Sequence, residues 1–158
     1  MIMRINKGLL AKCIAIPLFV GGVSAFLTQE SMQMFEELNQ PPLSPPGWVF
    51  GVVWTILYTL MGVSAYLVIE SGAKESEVND ALAVYVYQLI VNFLWPTFFF
   101  NFGWYLFSFV WLVLLWLLVL VMIVRFYRVS KLAGYLQIPY LIWLTFAAYL
   151  NLGIWWLN

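Results

Sequence analysis

Gln88, Asn92, Trp95 and Phe99 follow one another at steps of four, three and four residues, so on a helix they share one face. Pro139, Trp143, Ala147, Leu150 and Asn151 form a second such face, and Gly47, Gly51, Trp54 and Tyr58 a third. Carboxamides and indoles supply no general acid, base or nucleophile. They supply hydrogen bonds and flat, polarisable walls. The residues alone leave two readings open. In one, Gln88, Asn92 and Asn151 are glue between helices, worth about 1 kcal/mol each. In the other, Trp95 and Trp143, which lie within helices rather than at their ends, stand beside these carboxamides as walls of a pocket for a flat apolar ligand. Trp48, Trp155 and Trp156 fall where helices end and read as interfacial anchors.

Other chemistries are excluded by composition. The 158 residues include no histidine and a single cysteine, Cys13. A Ser-His-Asp triad, a Cys-His dyad, a histidine metal site, an internal disulfide and a CxxC redox pair are thereby ruled out. Seven Lys and Arg balance seven Asp and Glu, which leaves no basic surplus to neutralise phosphates and excludes nucleic acid as a partner. Only 9% of residues are charged and 65% are hydrophobic, where a soluble domain carries about 25% charged residues. The chain reads as an all-α integral membrane protein, with membrane lipid as its surroundings and no metal or obligatory cofactor.

The elements that carry these residues follow from the bilayer. A hydrocarbon core of about 30 Å takes about 20 helical residues. Residues 9–27 form a first span, interrupted only by Lys12, and residues 48–69 a second. No charge occurs between Asp80 and Arg125, a stretch about twice as long as one crossing needs, so it must fold back. The turn signal Asn101-Phe102-Gly103 divides it into spans 81–102 and 105–124, and a fifth span covers 132–156. The alternating strands of a membrane barrel are absent. The whole chain, 1–158, therefore reads as a single domain, a five-transmembrane-helix bundle. No span has an acidic or basic residue at its middle, which argues against proton relays, voltage sensors and ion-coupled pumps. Pro17, Pro96 and Pro139 are expected to kink their helices and free carbonyls for other partners.

Loops set the orientation. Arg4, Lys7, Lys12, Lys74, Arg125, Arg128 and Lys131 all fall on one side of a five-span bundle, whereas 28–47, 101–104 and 157–158 carry no cation. The positive-inside rule then predicts a cytoplasmic N-terminus and an outside C-terminus. The basic start, the apolar run 14–20 and Val23-Ser24-Ala25 resemble a cleavable secretory signal, but apolar residues continue past Ala25 and favour a retained span. The loop 28–47 holds Glu30, Glu36, Glu37 and the prolines Pro41, Pro42, Pro45 and Pro46. It is longer than a connection requires and is expected to form a lid over the open end of the bundle.

The run Pro41-Pro42-Leu43-Ser44-Pro45-Pro46-Gly47-Trp48, continuing to Trp54-Thr55-Ile56-Leu57-Tyr58, resembles the translocator protein family, also called tryptophan-rich sensory protein (TspO/MBR). Two further blocks agree in order. They are Gln88-Leu89 with Asn92, Trp95 and Phe99-Phe100, and Pro139-Tyr140-Leu141 with Trp143, Phe146-Ala147, Leu150-Asn151 and Trp155. The resemblance covers nearly the whole chain from Leu38 onward. It implies a five-helix bundle, a homodimer, a bacterial cell membrane as location, and a pocket opening toward the first loop. It also implies binding of porphyrins such as protoporphyrin IX and haem, and of related hydrophobic planar ligands. The pocket residues it implies are Trp54, Asn92, Trp95, Trp104, Trp143, Ala147 and Leu150, which favours pocket over glue.

Two departures from the family pattern bear on function. An acidic residue that many members carry early in span four is replaced here by Ser108, and the sterol motif of animal members is missing at the chain's end. The resemblance thus implies a receptor or translocator for porphyrins in tetrapyrrole transport, sensing or stress response. Its rivals are an enzyme degrading porphyrin in light and oxygen, with Trp54 and Trp143 as redox-active walls, and a scaffold dimer whose pocket is filled by lipid.

Overall fold

The computed structural model describes residues 4–158. Its helices are α1 (Lys7–Glu36), α2 (Gly47–Ile69), α3 (Glu75–Pro96), α4 (Tyr105–Val129), α5 (Lys131–Leu136) and α6 (Ile138–Leu157), with a π-helical turn, Thr97–Asn101, continuing α3. Five helical segments are long and apolar enough to cross a membrane, the fifth being α5 and α6 together. The architecture is an all-α five-span bundle, as the charge-free stretches predict.

Three expected boundaries are corrected. Residues 28–36 belong to α1 rather than to a loop, because Thr28–Phe35 keeps helix-compatible residues and the first helix breaker comes only at Pro41. The connector is therefore 37–46, and Glu30 and Glu36 ride on the helix. The third span begins at Glu75, where Glu75 and Glu77 in the first turn complement the helix dipole. The fifth span is broken, not kinked. Pro139 lies in the first turn of α6, where its missing N–H costs nothing, and Gln137 separates α6 from α5.

Pro17 sits within α1 without ending it. A proline withdraws the donor that would bond the carbonyl four residues earlier, here that of Cys13. Gly62 of α2 packs against that carbonyl and the backbone of Ile14 so closely that a Cβ on Gly62 would collide with both. The freed carbonyl thus faces the partner helix, and α1 and α2 form one of the closest-packed pairs. At the other end of the bundle Gly103 has φ 64°, the left-handed conformation that the turn between the third and fourth spans requires.

Polarity is inverted relative to a soluble domain. Gln88, Asn92, Ser64, Ser108, Gln137 and Asn151 are buried, while Ile16, Phe19, Phe26, Ile56, Val110, Leu117 and Ile142 are exposed. Such an apolar exterior suits hydrocarbon. The apolar core lies in the half of the bundle nearer Lys74, where Met61, Val68, Leu115, Val119, Met122 and Phe126 are buried. The antiparallel arrangement gathers charge by end. Asn6 N–H donates to Tyr66 OH at 3.1 Å, and Arg125 pairs with Asp80 at 3.5 Å, so the basic segments share one end. Asn39 and the side chain of Asn158 bond at the other.

Candidate functional site: an aromatic cavity beneath a strapped lid

Toward the end away from Lys74 the helices do not close on one another. α6 is backed by α4 and α2 by α1, and between these pairs a cavity of about 620 Å³ remains. Its walls come from α1, α2, α3, the π turn, α6 and the connector 37–46. Trp54 of α2, Trp95 of α3 and Trp143 of α6 form its aromatic sides together with Phe50, Phe99 and Phe100. Trp95 lies parallel to Phe99, with centroids 5.0 Å apart, and Trp54 stacks on Tyr58 at 5.5 Å. Phe50 meets the ring of Trp143 edge-on at 5.9 Å.

Pro96 opens the π turn, and Phe102 N–H reaches back to Thr97 C=O, five residues earlier. Within that wider turn the consecutive side chains Phe99 and Phe100 both line the cavity, and Phe35 of α1 packs on each. Such turns recur where a helix is re-aimed at a site.

Beneath the aromatic walls runs a buried hydrogen-bond chain. Tyr58 OH donates to Asn92 Oδ1 at 2.9 Å, Asn92 Nδ2 donates to Tyr140 OH, and Tyr140 OH donates to Gln88 Oε1 at 2.8 Å. A second set fixes the upper wall: Trp95 Nε1–H donates to Asn151 Oδ1 at 3.1 Å, and Asn151 Nδ2 donates to the Tyr105 carbonyl at 2.8 Å. In a low dielectric these satisfied networks hold the side chains in one arrangement. Glue and wall are here the same residues: Asn92 and Asn151 both bond between helices and line the cavity.

The connector forms the roof with Gln40, Ser44, Pro45 and Pro46. It is strapped to α6. Asn39 N–H donates to Asn158 Oδ1 at 3.0 Å, Asn158 Nδ2 to Asn39 C=O at 2.9 Å, and Tyr149 OH to Pro42 C=O at 2.8 Å. Pro41 packs against Gly153 where any Cβ would intrude.

Six of the seven residues singled out in the sequence, Trp54, Asn92, Trp95, Trp143, Ala147 and Leu150, line this cavity, and Trp104 does not. Trp104 is 53% exposed on the lipid-facing exterior, stacked on Phe98 with centroids 6.2 Å apart and packed on Phe102 at 4.8 Å. It is the N-cap of α4, so the left-handed Gly103 sets its direction rather than a helical face. Pro139 and Gln88 also stay off the wall, Gln88 lying beneath it. Ser108, at the position of the missing carboxylate, is buried away from the cavity, and its Oγ has no partner.

The contribution of α1 went unrecognised in the sequence. Gly21, Ser24, Ala25 and Thr28 line the cavity, followed by Met32, Phe35 and Glu36. Their signal is a face of small residues at steps of three, one and three, the same arithmetic that picks out the other walls. Among the described residues no group of three His, Cys, Asp or Glu side chains converges as a metal site would require.

Fold and site together define a class: a five-helix membrane protein with an aromatic-walled cavity at one end, roofed by a proline-rich connector. Residues 13–157 match the model of the TspO/MBR family, and the chain belongs to that family. It is 39% identical over 150 residues to the tryptophan-rich protein TspO of Chlorobaculum tepidum, covering 94% of this chain and 95% of that one. It is 39% identical over 141 residues to the human translocator protein, covering 87% of this chain and 80% of that one. To the tryptophan-rich sensory protein of Cereibacter sphaeroides it is 36% identical over 119 residues, covering 75% and 73%. The chain is a multi-pass membrane protein.

Proposed function

We propose that this protein is a membrane receptor of the sensory or translocator kind that binds porphyrins, such as protoporphyrin IX or haem, and related flat hydrophobic molecules. The observation that carries the reading is the cavity of about 620 Å³ walled by Trp54, Trp95 and Trp143 and opening under the connector 37–46. A macrocycle between such walls gains contact area and offset aromatic stacking beyond plain burial. The names of relatives, translocator protein and tryptophan-rich sensory protein, agree with a receptor or transport role. The cavity wall carries no histidine or cysteine, so haem would be held by its ring faces and bind about as well as metal-free porphyrin. Distribution of charge between the two ends supports a cytoplasmic N-terminus in a cell membrane, with the roof outside.

Titration of the detergent-purified protein with protoporphyrin IX tests this. Saturable quenching of tryptophan fluorescence at one ligand per chain is expected, because indoles of the cavity wall would lie against the macrocycle. Quenching that grows linearly with ligand, as in detergent alone, would contradict it.

A further inference from the structure

The polar groups of the cavity are distributed unevenly. Deep in the wall, these donors are already committed within the protein: Tyr58 OH to Asn92, Trp95 Nε1 to Asn151, Ser24 Oγ to the Phe93 carbonyl at 3.3 Å, and Thr28 Oγ1 to the Ser24 carbonyl at 2.9 Å; the indole N–H of Trp143 is an exception. A ligand reaching that depth meets satisfied amides and aromatic faces. At the mouth the pattern changes. Glu36, at the last turn of α1, is the only charged side chain on the cavity wall among the described residues, and it is exposed there opposite Gly47.

Among the described residues no basic side chain offsets that charge; the N-terminus of α2 at Gly47 is the positive group beside it. Glu30 and Glu37 are close in sequence to Glu36, while the seven cations Arg4, Lys7, Lys12, Lys74, Arg125, Arg128 and Lys131 belong to the opposite end of the bundle. The only ion pair among the described residues, Arg125 with Asp80, is also at that opposite end. An anionic ligand group at the mouth would find a carboxylate and no basic partner.

We propose that Glu36 is a specificity-determining residue that selects ligands by the charge of their outer end: the cavity takes a flat apolar body whose polar end is neutral or cationic, and discriminates against free carboxylates. The inference rests on the ligand-binding reading above. For a porphyrin it means that masked propionates are preferred to free ones, with the macrocycle between the tryptophans and its substituted edge toward the roof.

Protoporphyrin IX and its dimethyl ester share one ring system and differ only in charge, so they make the test. Both are titrated by fluorescence quenching into the wild type, Glu36→Gln, Glu36→Lys and Glu37→Gln in one detergent. The readout is the ratio of diester to diacid affinity in each protein, because detergent partitioning then cancels between variants. Glu36→Gln should lower the ratio by about fivefold, the scale of one charge pair at contact distance in water. Glu36→Lys should lower it further. Glu37→Gln, off the cavity wall, should change it by less than about twofold. A ratio unmoved by both Glu36 variants, or moved equally by Glu37→Gln, would overturn the role of Glu36 while leaving ligand binding intact. Absence of saturable binding of either compound to the wild type would instead overturn the binding reading and the selectivity with it.

Discussion

Asn92 holds Tyr58 on one side and Tyr140 on the other, and through Tyr140 it fixes Gln88. Its removal would leave the buried Tyr58 hydroxyl without a partner and take from Tyr140 the bond it accepts, while Tyr140 keeps Gln88, at about 1–3 kcal/mol for a group that water cannot reach. Asn92→Ala should therefore lower the unfolding temperature in detergent and loosen the wall, and Tyr58→Phe should do so less. Trp143 differs. Its indole nitrogen has no hydrogen-bond partner, so the ring stands by packing against Phe50 and Phe146. Trp143→Ala should weaken porphyrin binding by about 2 kcal/mol or more, and Trp143→Phe only mildly, with the fold kept in both, as titration and circular dichroism would report. The residue faces were legible because a helix repeats at 3.6 residues, which brings Trp95 and Asn92, or Trp143, Ala147 and Leu150, to one side. That arithmetic stops where the helix stops. Trp104 precedes the first turn of α4 and is aimed by Gly103, so spacing could not show that it faces away from the cavity.

Among the elements, α1 and α2 depend most on close approach. Gly62 lies against the Cys13 carbonyl left without its helical donor by Pro17, and Gly21 lies against the ring of Tyr58. At Gly62 the obstruction to a side chain is backbone, which cannot rotate away. Gly62→Val should separate the helices and cost about 1–3 kcal/mol, seen as a lower unfolding temperature in detergent, whereas Gly22→Ala, with open space around it, should cost nothing measurable. The roof element makes a different prediction. Tyr149 OH holds the Pro42 carbonyl, and losing one such bond, worth about 0.5–1.5 kcal/mol, loosens the connector, which Asn39 and Asn158 still tie, without touching the cavity wall. Tyr149→Phe should therefore speed porphyrin release several-fold by stopped-flow fluorescence and leave the ring environment unchanged. The five spans were legible from charge-free length, since hydrocarbon tolerates few charges. The extent of α1 was not, because a charged, polar segment such as Gln29–Glu36 carries no hydropathy signal for a helix that emerges from the membrane. The π turn was not legible either. Pro96 predicts a disturbance but not which wider turn absorbs it.

For the whole molecule, the two ends are unlike. One gathers every cation with Asp80 and the tight apolar core; the other carries Glu30, Glu36 and Glu37, the cavity and its roof. Positive charge retained in the cytoplasm would leave the cavity open to the outside. A cysteine placed at Gln33 should react with an impermeant maleimide in intact cells, and one at Ser130 only after lysis; the reverse pattern would invert the orientation. Family membership and the count of spans were both written in the sequence, the first in the block from Pro41 to Tyr58. Legible as well were the three tryptophan walls, Trp54, Trp95 and Trp143, and Asn92, Ala147 and Leu150 beside them. The participation of α1 was missed because small residues such as Gly21, Ser24 and Ala25 draw no notice until the larger rings they face are in position.

The central claim is that a planar ligand lies between α2, α3 and α6, and the Ala147→Leu variant tests it most directly. Ala147 is on the cavity wall one turn beyond Trp143 and is only partly buried, so a leucine there extends into the cavity rather than into the core. Protoporphyrin titration of Ala147→Leu should show saturable quenching weakened by at least about tenfold, in a protein that melts within a few degrees of the wild type. A variant that folds, carries the leucine and binds protoporphyrin with wild-type affinity would mean that the ligand lies elsewhere on the protein.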